Sequence, residues 1–513
     1  MSRLIVVSNR VTFGGGNAAS QGGLAMGLGA ALRKASGLWF GWSGETTETF
    51  TGALTTTEIE GVTIATVDLE ETDVQEYYNG YANKTIWPLF HYRIDLTAYD
   101  RSFDQGYQRV NRRFAETLAP LIRPDDLIWV HDYHLFPLGR ELRRLGVKNP
   151  IGFFLHIPWP PRQLMATLPR HSRLVEALFD YDLVGFQTQD WLQAFEDYVV
   201  MEAGGQIRPD GRLEAFGRAV STGAFPIGID AEEFEATVRM PEARRSFDMM
   251  AANSVFRSLI VGVDRLDYSK GLEERLLGYE QLLKDHPEYQ GGTHLLQIAP
   301  PTREEVDTYQ EIRARLEFQC GRINGEFGDT DWTPIRYVHR SYPRDELAGI
   351  YRAARVGLVT PLRDGMNLVA KEYVAAQNPE DPGVLILSRF AGAAAQMRQA
   401  LIVNPFSREE LADALHRALS MELDERIERW RALIAGVRAN DIGAWRDTYV
   451  AALEASRAQP RASRPSPSML ERLKAQELAG SPRKLRDPAP VSRPDRSRGR
   501  DPGTPDTDYI RQR

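Results

Sequence analysis

A single cysteine, Cys320, stands in a chain of 513 residues. A disulfide within the chain is thereby excluded, a zinc-thiolate cluster is out of reach, and the composition suits a reducing compartment. No apolar run approaches the ~18–20 residues needed to span a bilayer. The opening MSRLIVVSNR has no cleavable-signal pattern and reads as a strand that begins at once. The expectation is a cytoplasmic protein with no membrane contact. Positive charge is not in excess: the net charge of −7 provides no global field for nucleic acid. The chain also lacks a Gly-Lys-Ser/Thr loop, an HExxH pair, a motif for lysine-bound pyridoxal phosphate and an obvious pair of carboxylates for double displacement. No cofactor and no metal are expected.

What is there is globular: 42% hydrophobic and 26% charged residues. The length is too great for one ordinary core, so two large domains are the natural reading. Short apolar runs recur between longer amphipathic stretches: LIVVSN (4–9), LIWVHDY (127–133), IGFFLHIP (151–158), LVGFQ (183–187) and FPIGI (225–229). The second half continues with LIVGVDRLD (259–267), HLLQIAP (294–300), IRYVH (335–339), VGLVTP (356–361), VLILS (384–388) and LIVNP (401–405). Strands this apolar are covered on both faces, and their alternation with helical stretches predicts parallel βα units in an α/β fold of two doubly wound domains. The polar, helical stretch 231–257 marks the junction. Ser407 and Glu410 in SREELADALHRAL have capping-box spacing. From about 457 onward Pro, Arg, Ser and Asp dominate, and such a tail is expected to be disordered.

Polar residues cluster after the apolar strands, where ligands sit in doubly wound folds. Arg10 ends the first strand, and Gly22 and Gly23 precede a helical stretch, suited to an anion at a helix start or simply a flexible loop. EYYNGYANKTIWPLFHYR (76–93) is dense in aromatics. Tyr78 and Trp87 there suit a sugar's C–H faces or an aromatic core patch. Asp132 and His156 follow two strands and read as contacts to sugar hydroxyls or polarising groups. His131 and His134 read as core or supporting histidines rather than metal ligands. Arg265 and Lys270 bracket a strand end and a helix start and suit a diphosphate. The alternative pairs Arg265 with Asp264 or Asp267 and leaves a solvent lysine. In RDGMNLVAKE (363–372), Asp364 and Gly365 end a strand and the helix begins with MNLVAKE. The backbone N–H groups of Met366, Asn367, Leu368 and Val369 then face an anion, with Glu372 one turn on, placed for two ribose hydroxyls. Three Asp-x-Asp repeats, at 180–182, 329–331 and 506–508, read as incidental.

SNR…GGL, GLWFGWSGE, WPLFHYR, IWVHDYHL, GFFLHIPWP, RLDYSKG, QIAP, CGRINGEFG and TPLRDGMNLVAKEYVAAQ closely resemble the retaining trehalose-6-phosphate synthases, from about residue 3 to about 455. The resemblance implies two Rossmann-like domains facing across a cleft, the GT-B architecture. Residues 1–235 would form the acceptor-binding domain and 236–440 the nucleotide-sugar domain. A helix at 441–456 would pack back on the first, and 457–513 would be the tail. It implies transfer of glucose from a nucleotide-glucose, UDP-glucose by default with guanosine or adenosine open, to glucose 6-phosphate. The products would be α,α-trehalose 6-phosphate and a nucleoside diphosphate, formed with retention and without metal. Carried onto this chain, Arg10 and Arg303 clamp the acceptor phosphate, Tyr78 and Trp87 flank the acceptor sugar and Asp132 holds it. Gly22 and Gly23 cover the donor, Arg265 and Lys270 bind its diphosphate, and His156 and Asp364 hold the transferring glucose. Leu368 and Val369 offer N–H groups, Glu372 the ribose contact and Tyr342 a contact to the base. Asp132, His156, Arg265, Lys270 and Asp364 thus stand at the reacting centre. A homo-oligomer and a separate downstream phosphatase are expected partners. A related transferase with another acceptor, a glucosylglycerol-phosphate or pseudo-glycoside synthase, is the alternative, and acceptor preference separates the two.

Overall fold

The computed structural model describes residues 2–11, 32, 37–252, 256–302 and 307–458. Two sheets organise them. The first has ten strands: β1 Leu4–Arg10, β2 Leu38–Thr47, β3 Thr55–Ile59, β4 Val62–Glu70, β5 Leu127–His131, β6 Ile151–Phe154, β7 Leu183–Phe186, β8 Gln206–Ile207, β9 Leu213–Ala215 and β10 Arg218–Ala224. They lie in the order β3-β4-β2-β1-β5-β6-β7-β10-β9-β8. The core from β4 to β10 is parallel, and antiparallel hairpins close both edges. Its centre is legible in β1: Ile5 and Val7 enter one hydrophobic cluster and Leu4 and Val6 the other, because a central parallel strand is covered on both faces.

The second sheet has six strands, β11 Ser258–Val263, β12 Thr293–Ile298, β13 Ile335–Val338, β14 Val356–Val359, β15 Val384–Ser388 and β16 Leu401–Val403. All are parallel, in the order β13-β12-β11-β14-β15-β16. This is the strand order of a dinucleotide-binding fold, with its crevice between β11 and β14. The expected two doubly wound sheets are therefore present. Helices Ala231–Thr237 and Pro241–Ala252 occupy the stretch between them. Ser407 caps the helix Arg408–Ser420 by accepting the Glu410 N–H at 3.1 Å. The Glu410 carboxylate reaches the Asn404 N–H rather than closing the reciprocal box.

Two readings change. FPIGI (225–229) is not a strand; it is the extended link that leaves β10 for the second sheet. Its apolar side chains, Ile227 and Ile229, are buried where the halves meet, so burial and not a ladder explains the run. VGLVTP forms a strand only to Val359; Pro361 brings no N–H to continue a ladder, and a loop follows. Among the described residues no helix is long and apolar enough to cross a membrane.

The helix Ile442–Ala455 returns to the first sheet. Tyr449 lies flat on Trp129 with ring centroids 4.5 Å apart, Trp445 packs 4.8 Å from the same indole, and the Tyr449 hydroxyl donates to the Phe153 carbonyl at 3.0 Å. Gly152 on β6 and Gly185 on β7 clear the space, since a Cβ at either would run into the tyrosine ring or hydroxyl. Replacing a buried aromatic of this kind by alanine costs roughly 3–5 kcal/mol. Tyr449→Ala is expected to lower unfolding free energy by about that amount in a urea titration, and Tyr449→Phe by about 1 kcal/mol for the lost hydroxyl bond. A loss below ~1 kcal/mol for the alanine variant would mean the helix is a dispensable appendage.

Candidate active site

In each sheet the strand order reverses at one place, between β1 and β5 in the first and between β11 and β14 in the second, and loops leaving such strands diverge into a crevice. The second crevice is lined by the segments after β11 and β14. Asp267 accepts the Ser269 N–H at 2.9 Å and starts a tight turn, Tyr268–Lys270, which delivers Lys270 inward. The Lys270 ammonium pairs with the Asp364 carboxylate, and both side chains are largely buried. Asn367 binds them together: its Nδ2 donates to Asp364 Oδ2 at 3.2 Å and to Asp264 Oδ1 at 3.4 Å. Asp264 is in turn held by Arg275, a fully buried guanidinium at 2.7 Å that also bonds Gln297 and Thr360. Arg265 bonds none of these carboxylates and is exposed at the crevice. Burial alone would raise the Asp364 pKa; the Lys270 ammonium, with His91 and Arg265 further off, overrides this and holds the carboxyl below its usual range.

The helix of this loop begins at Leu368, later than expected. Asn367 is its cap, at φ 76°, and its Oδ1 accepts the Ala370 N–H at 3.3 Å. Leu368 and Val369 are thus the first two helical residues, whose N–H groups lie outside the intrahelical ladder. Met366, expected among the helix-start donors, lies ahead of the cap and is buried, with its carbonyl bonded to the Ala393 N–H. Glu372 is half-buried one turn on. Burial raises its pKa, partly offset by Arg344. Tyr342 is half-buried too, its ring under Arg340 at 4.5 Å. No hydrogen bond links Tyr342 or Glu372 to the Lys270–Asp364 group among the described residues.

The first crevice carries Arg10 at the end of β1. Its guanidinium lies over the Trp42 ring at 5.6 Å and fills the space beside Gly44. Trp42 meets the edge of Tyr78 at 5.6 Å, and Tyr78 stacks on His134 at 5.8 Å, so an Arg-Trp-Tyr-His row runs along this wall. Asp132, directly after β5, takes φ 73° and accepts the His156 N–H at 3.2 Å. The His156 ring has both nitrogens engaged. Gln187 accepts the Ile227 N–H through Oε1, which turns its amide nitrogen toward His156 Nδ1 at 3.2 Å. His156 Nδ1 is therefore an acceptor, its proton is on Nε2, and that proton points to His131 Nδ1 at 3.0 Å.

The two crevices face each other. Arg265 lies over the Trp87 ring at 5.6 Å, joining the β11 loop to the first sheet's aromatic wall. Gly365 packs against the His156 carbonyl so closely that a Cβ would collide with it. Trp191 Nε1 donates to the Gly365 carbonyl at 3.4 Å. Arg363 is held among Tyr92 at 3.9 Å, Phe390 at 4.8 Å and Trp191 at 5.8 Å, a cation in an aromatic cage drawn from both halves. Lys371 is buried and donates to the Ile227 and Gln396 oxygens, each at 2.7 Å; burial brings its pKa down to about 7. Sequence reasoning placed Asp132, His156, Arg265, Lys270, Asp364 and Asn367 on these loops. It missed Arg275, the linking role of Arg363, Gln187 and Lys371. Gly22, Gly23 and Arg303 lie outside the described residues.

Several rings here are held neutral. Burial pushes His156 down to about 3 and His91 to about 4, and it takes His131 well below its usual value, with His156 adding to the effect. Asp267 and Asp364 pull His91 upward and Lys270 pushes it down, but burial dominates. The unfolded chain protonates these rings near pH 6.5 and the folded chain does not, so acidification stabilises the unfolded state. Each of the buried His91 and His131 contributes a loss of about 1.4 kcal/mol per pH unit below ~6.5, levelling near pH 4 for His91. Urea midpoints at pH 7.5 and 5.5 check this. Equal midpoints would show that the rings are protonated in the fold.

With this geometry in place, the comparisons with known proteins are consistent with one another. Residues 7–455 match the model of glycosyltransferase family 20. A trehalose-6-phosphate synthase of Klebsiella pneumoniae is 49% identical over 458 residues, 88% of this chain and 95% of its own length. A UDP-forming α,α-trehalose-phosphate synthase of Burkholderia xenovorans, solved in complex with glucose-6-phosphate, is 49% identical. It covers 88% of this chain and 100% of its own, with a TM-score of 0.85. An E. coli structure bound with UDP-2-fluoro glucose is 47% identical, covers 88% of this chain and 99% of its own, and superposes with a TM-score of 0.84.

Proposed function

The chain belongs to glycosyltransferase family 20, and we propose from its cleft and its relatives how it works. The protein transfers glucose from UDP-glucose to glucose 6-phosphate, giving α,α-trehalose 6-phosphate and UDP. The observation that carries the reading is the meeting of Arg265 and Trp87 across the cleft, which brings a donor-side cation to the acceptor-side aromatic wall.

In the proposed arrangement the donor lies in the β11/β14 crevice. Its diphosphate takes Arg265, Lys270 and the N–H groups of Leu368 and Val369, and Glu372 takes the ribose. Departure of UDP leaves charge on the diphosphate, and fixed cations and helix-start amides stabilise that charge as it develops. Asp364 keeps Lys270 at its post while orienting a hydroxyl of the transferring glucose. The acceptor lies on the Arg10, Trp42 and Tyr78 row with Arg10 toward its phosphate, and Asp132 holds the sugar. His156 reaches the transferring glucose through its Nε2–H by exchanging its His131 partner. Asp264 is bound to Arg275 and Asp364 to Lys270, so neither of these two carboxylates is poised as a nucleophile. That supports departure and attack on one face, with the leaving phosphate taking the acceptor's proton. The Asp-x-Asp at 180–182 supports a metal-free reading: Asp180 pairs with Arg140 and Arg218, and Asp182 with Arg143. The lone buried cysteine supports a reducing, cytoplasmic setting.

Incubation with UDP-glucose and glucose 6-phosphate is expected to release UDP and yield a non-reducing disaccharide phosphate with both linkages α; a glycerol phosphate preferred as acceptor would redirect the reading to the alternative transferase. Arg10→Ala is expected to raise KM for glucose 6-phosphate at least tenfold with the UDP-glucose KM unchanged, because a charged hydrogen bond contributes about 1.5–3 kcal/mol. Equal loss for both substrates would contradict the assignment of Arg10 to the acceptor. Lys270→Ala is expected to lower kcat by about 10²–10³. Excess chelator is expected to leave the rate unchanged, and its abolition would put a metal in the cleft.

A further inference from the structure

A second cavity, of about 780 Å³, opens at the opposite end of the second sheet, where strands β11, β14 and β15 begin. The elements that end there set its chemistry. The helices Ala231–Thr237, Arg344–Ala353 and Leu368–Ala376 bring their C-terminal ends to it, and the flank of Pro241–Ala252 forms a wall. Helix C-termini carry partial negative charge, and cations are the usual complement. The complement here exceeds that need. Arg239, Arg244, Arg257, Arg352, Arg355 and Arg438 all line the cavity, against Glu235, Asp248 and Asp381.

The pairing leaves a surplus. Glu235 is taken by Arg438 at 2.7 Å, and Asp381 by Arg355 at 2.9 Å as well as by Arg426 from behind. Arg257 reaches the exposed Asp331 at 3.0 Å. Arg352 donates to the Ala376 and Gln377 carbonyls, 3.2 and 3.5 Å away, and has no carboxylate at ion-pair distance among the described residues. Arg239 and Arg244 have none either, and both are exposed to the cavity mouth. Burial lowers the Arg352 pKa and the Arg239 charge lowers it further. Asp248 is the one lining carboxylate without an ion pair among the described residues, so three unpaired guanidiniums stand against one carboxylate. Guanidinium is weakly hydrated and its planar fork matches phosphate oxygens, which makes a group of them a phosphate site in chemical terms.

We propose that this cavity binds a small organic di- or triphosphate, held by Arg239, Arg244 and Arg352 at a site separate from the cleft. The volume exceeds that of a bare anion and matches a phosphorylated ligand of nucleotide size. The same helix, Leu368–Ala376, presents its amino end to the cleft and its carboxyl end to this cavity, so the two sites lie at opposite ends of one rigid element.

The test is titration calorimetry of the full chain with inorganic tripolyphosphate at low ionic strength, wild type against Arg239→Gln/Arg244→Gln. Both substitutions are on exposed residues away from the cleft, and the variant's circular dichroism and basal turnover are expected to match wild type. Wild type is expected to bind two equivalents, one in the cleft and one here; the variant is expected to retain one and to weaken the other at least tenfold, since two charged hydrogen-bond donors are removed. A Lys270→Ala chain is expected to lose the cleft equivalent and keep the cavity one, so failure here is distinguishable from failure of the cleft assignment. The proposal is overturned by a single equivalent in wild type that Lys270→Ala abolishes, by identical isotherms for wild type and the arginine variant, or by sulfate binding the cavity within threefold of tripolyphosphate, which would reduce it to a general charge sink.

Discussion

A buried ammonium–carboxylate pair between two strand-end loops is the contact on which the rest of the cleft depends. Lys270 comes from the loop after β11 and Asp364 from the loop after β14, so the pair closes the crevice where the strand order reverses. Removing water from both charges costs several kcal/mol, and the pair is stable only because its remaining hydrogen-bonding capacity is used. Asn367 supplies that bond to Asp364 and passes it on to Asp264, which Arg275 neutralises. The result is a network of alternating charge in which no carboxylate is idle. Such a network fixes cations where a departing diphosphate needs them without reorganisation during the reaction.

The two sheets are joined around this network by few but specific contacts. The Ile227 backbone is gripped from both sides: its N–H donates to Gln187 of the first sheet's β7 loop, and its carbonyl accepts from Lys371 of the Leu368–Ala376 helix. Gln187 is also the residue that orients the His156 ring, and Lys371 lies on the helix whose first turn faces the cleft. One linker residue therefore connects the orientation of a first-sheet histidine to the position of a second-sheet helix. Arg363 in its aromatic cage and Gly365 against the His156 carbonyl complete the joint. A domain closure that moved these halves would have to break a charge-assisted bond, a cation–π contact and a backbone packing at once.

Much of this was legible in the residues themselves. Buried parallel strands are continuous apolar runs, so β1, β5, β6, β7 and β11 to β16 were readable, and polar residues directly after them, such as Asp132 and Lys270, marked the crevices. What escaped has one physical cause, dependence on contacts distant in sequence. Asp264 next to Arg265 reads as a local pair, yet it belongs to Arg275, which enters the core because Gly262 leaves no side chain in its way. The cage of Arg363 draws on residues 92, 191 and 390, which no local pattern relates. FPIGI has the composition of a strand because its isoleucines are buried, although past the Phe225 N–H, which bonds the Phe186 carbonyl of β7, it forms no strand.

The conformations of two residues show how the crevices are built alike. Asp132 follows β5 at φ 73°, and Asn367 ends the loop after β14 at φ 76°. Each strand is the one beside the central strand at which its sheet reverses. A left-handed residue other than glycine costs of order 1–3 kcal/mol and persists where its surroundings hold it. Both are held by their own side chains, Asp132 by the His156 N–H and Asn367 by the Ala370 N–H. Glycine would relieve the strain and lose the side chain; a longer residue would keep neither the turn nor the bond. Asp and Asn combine tolerance of this backbone with a short acceptor, which is why the chain can bend sharply into the cleft at these points and still present a polar group there.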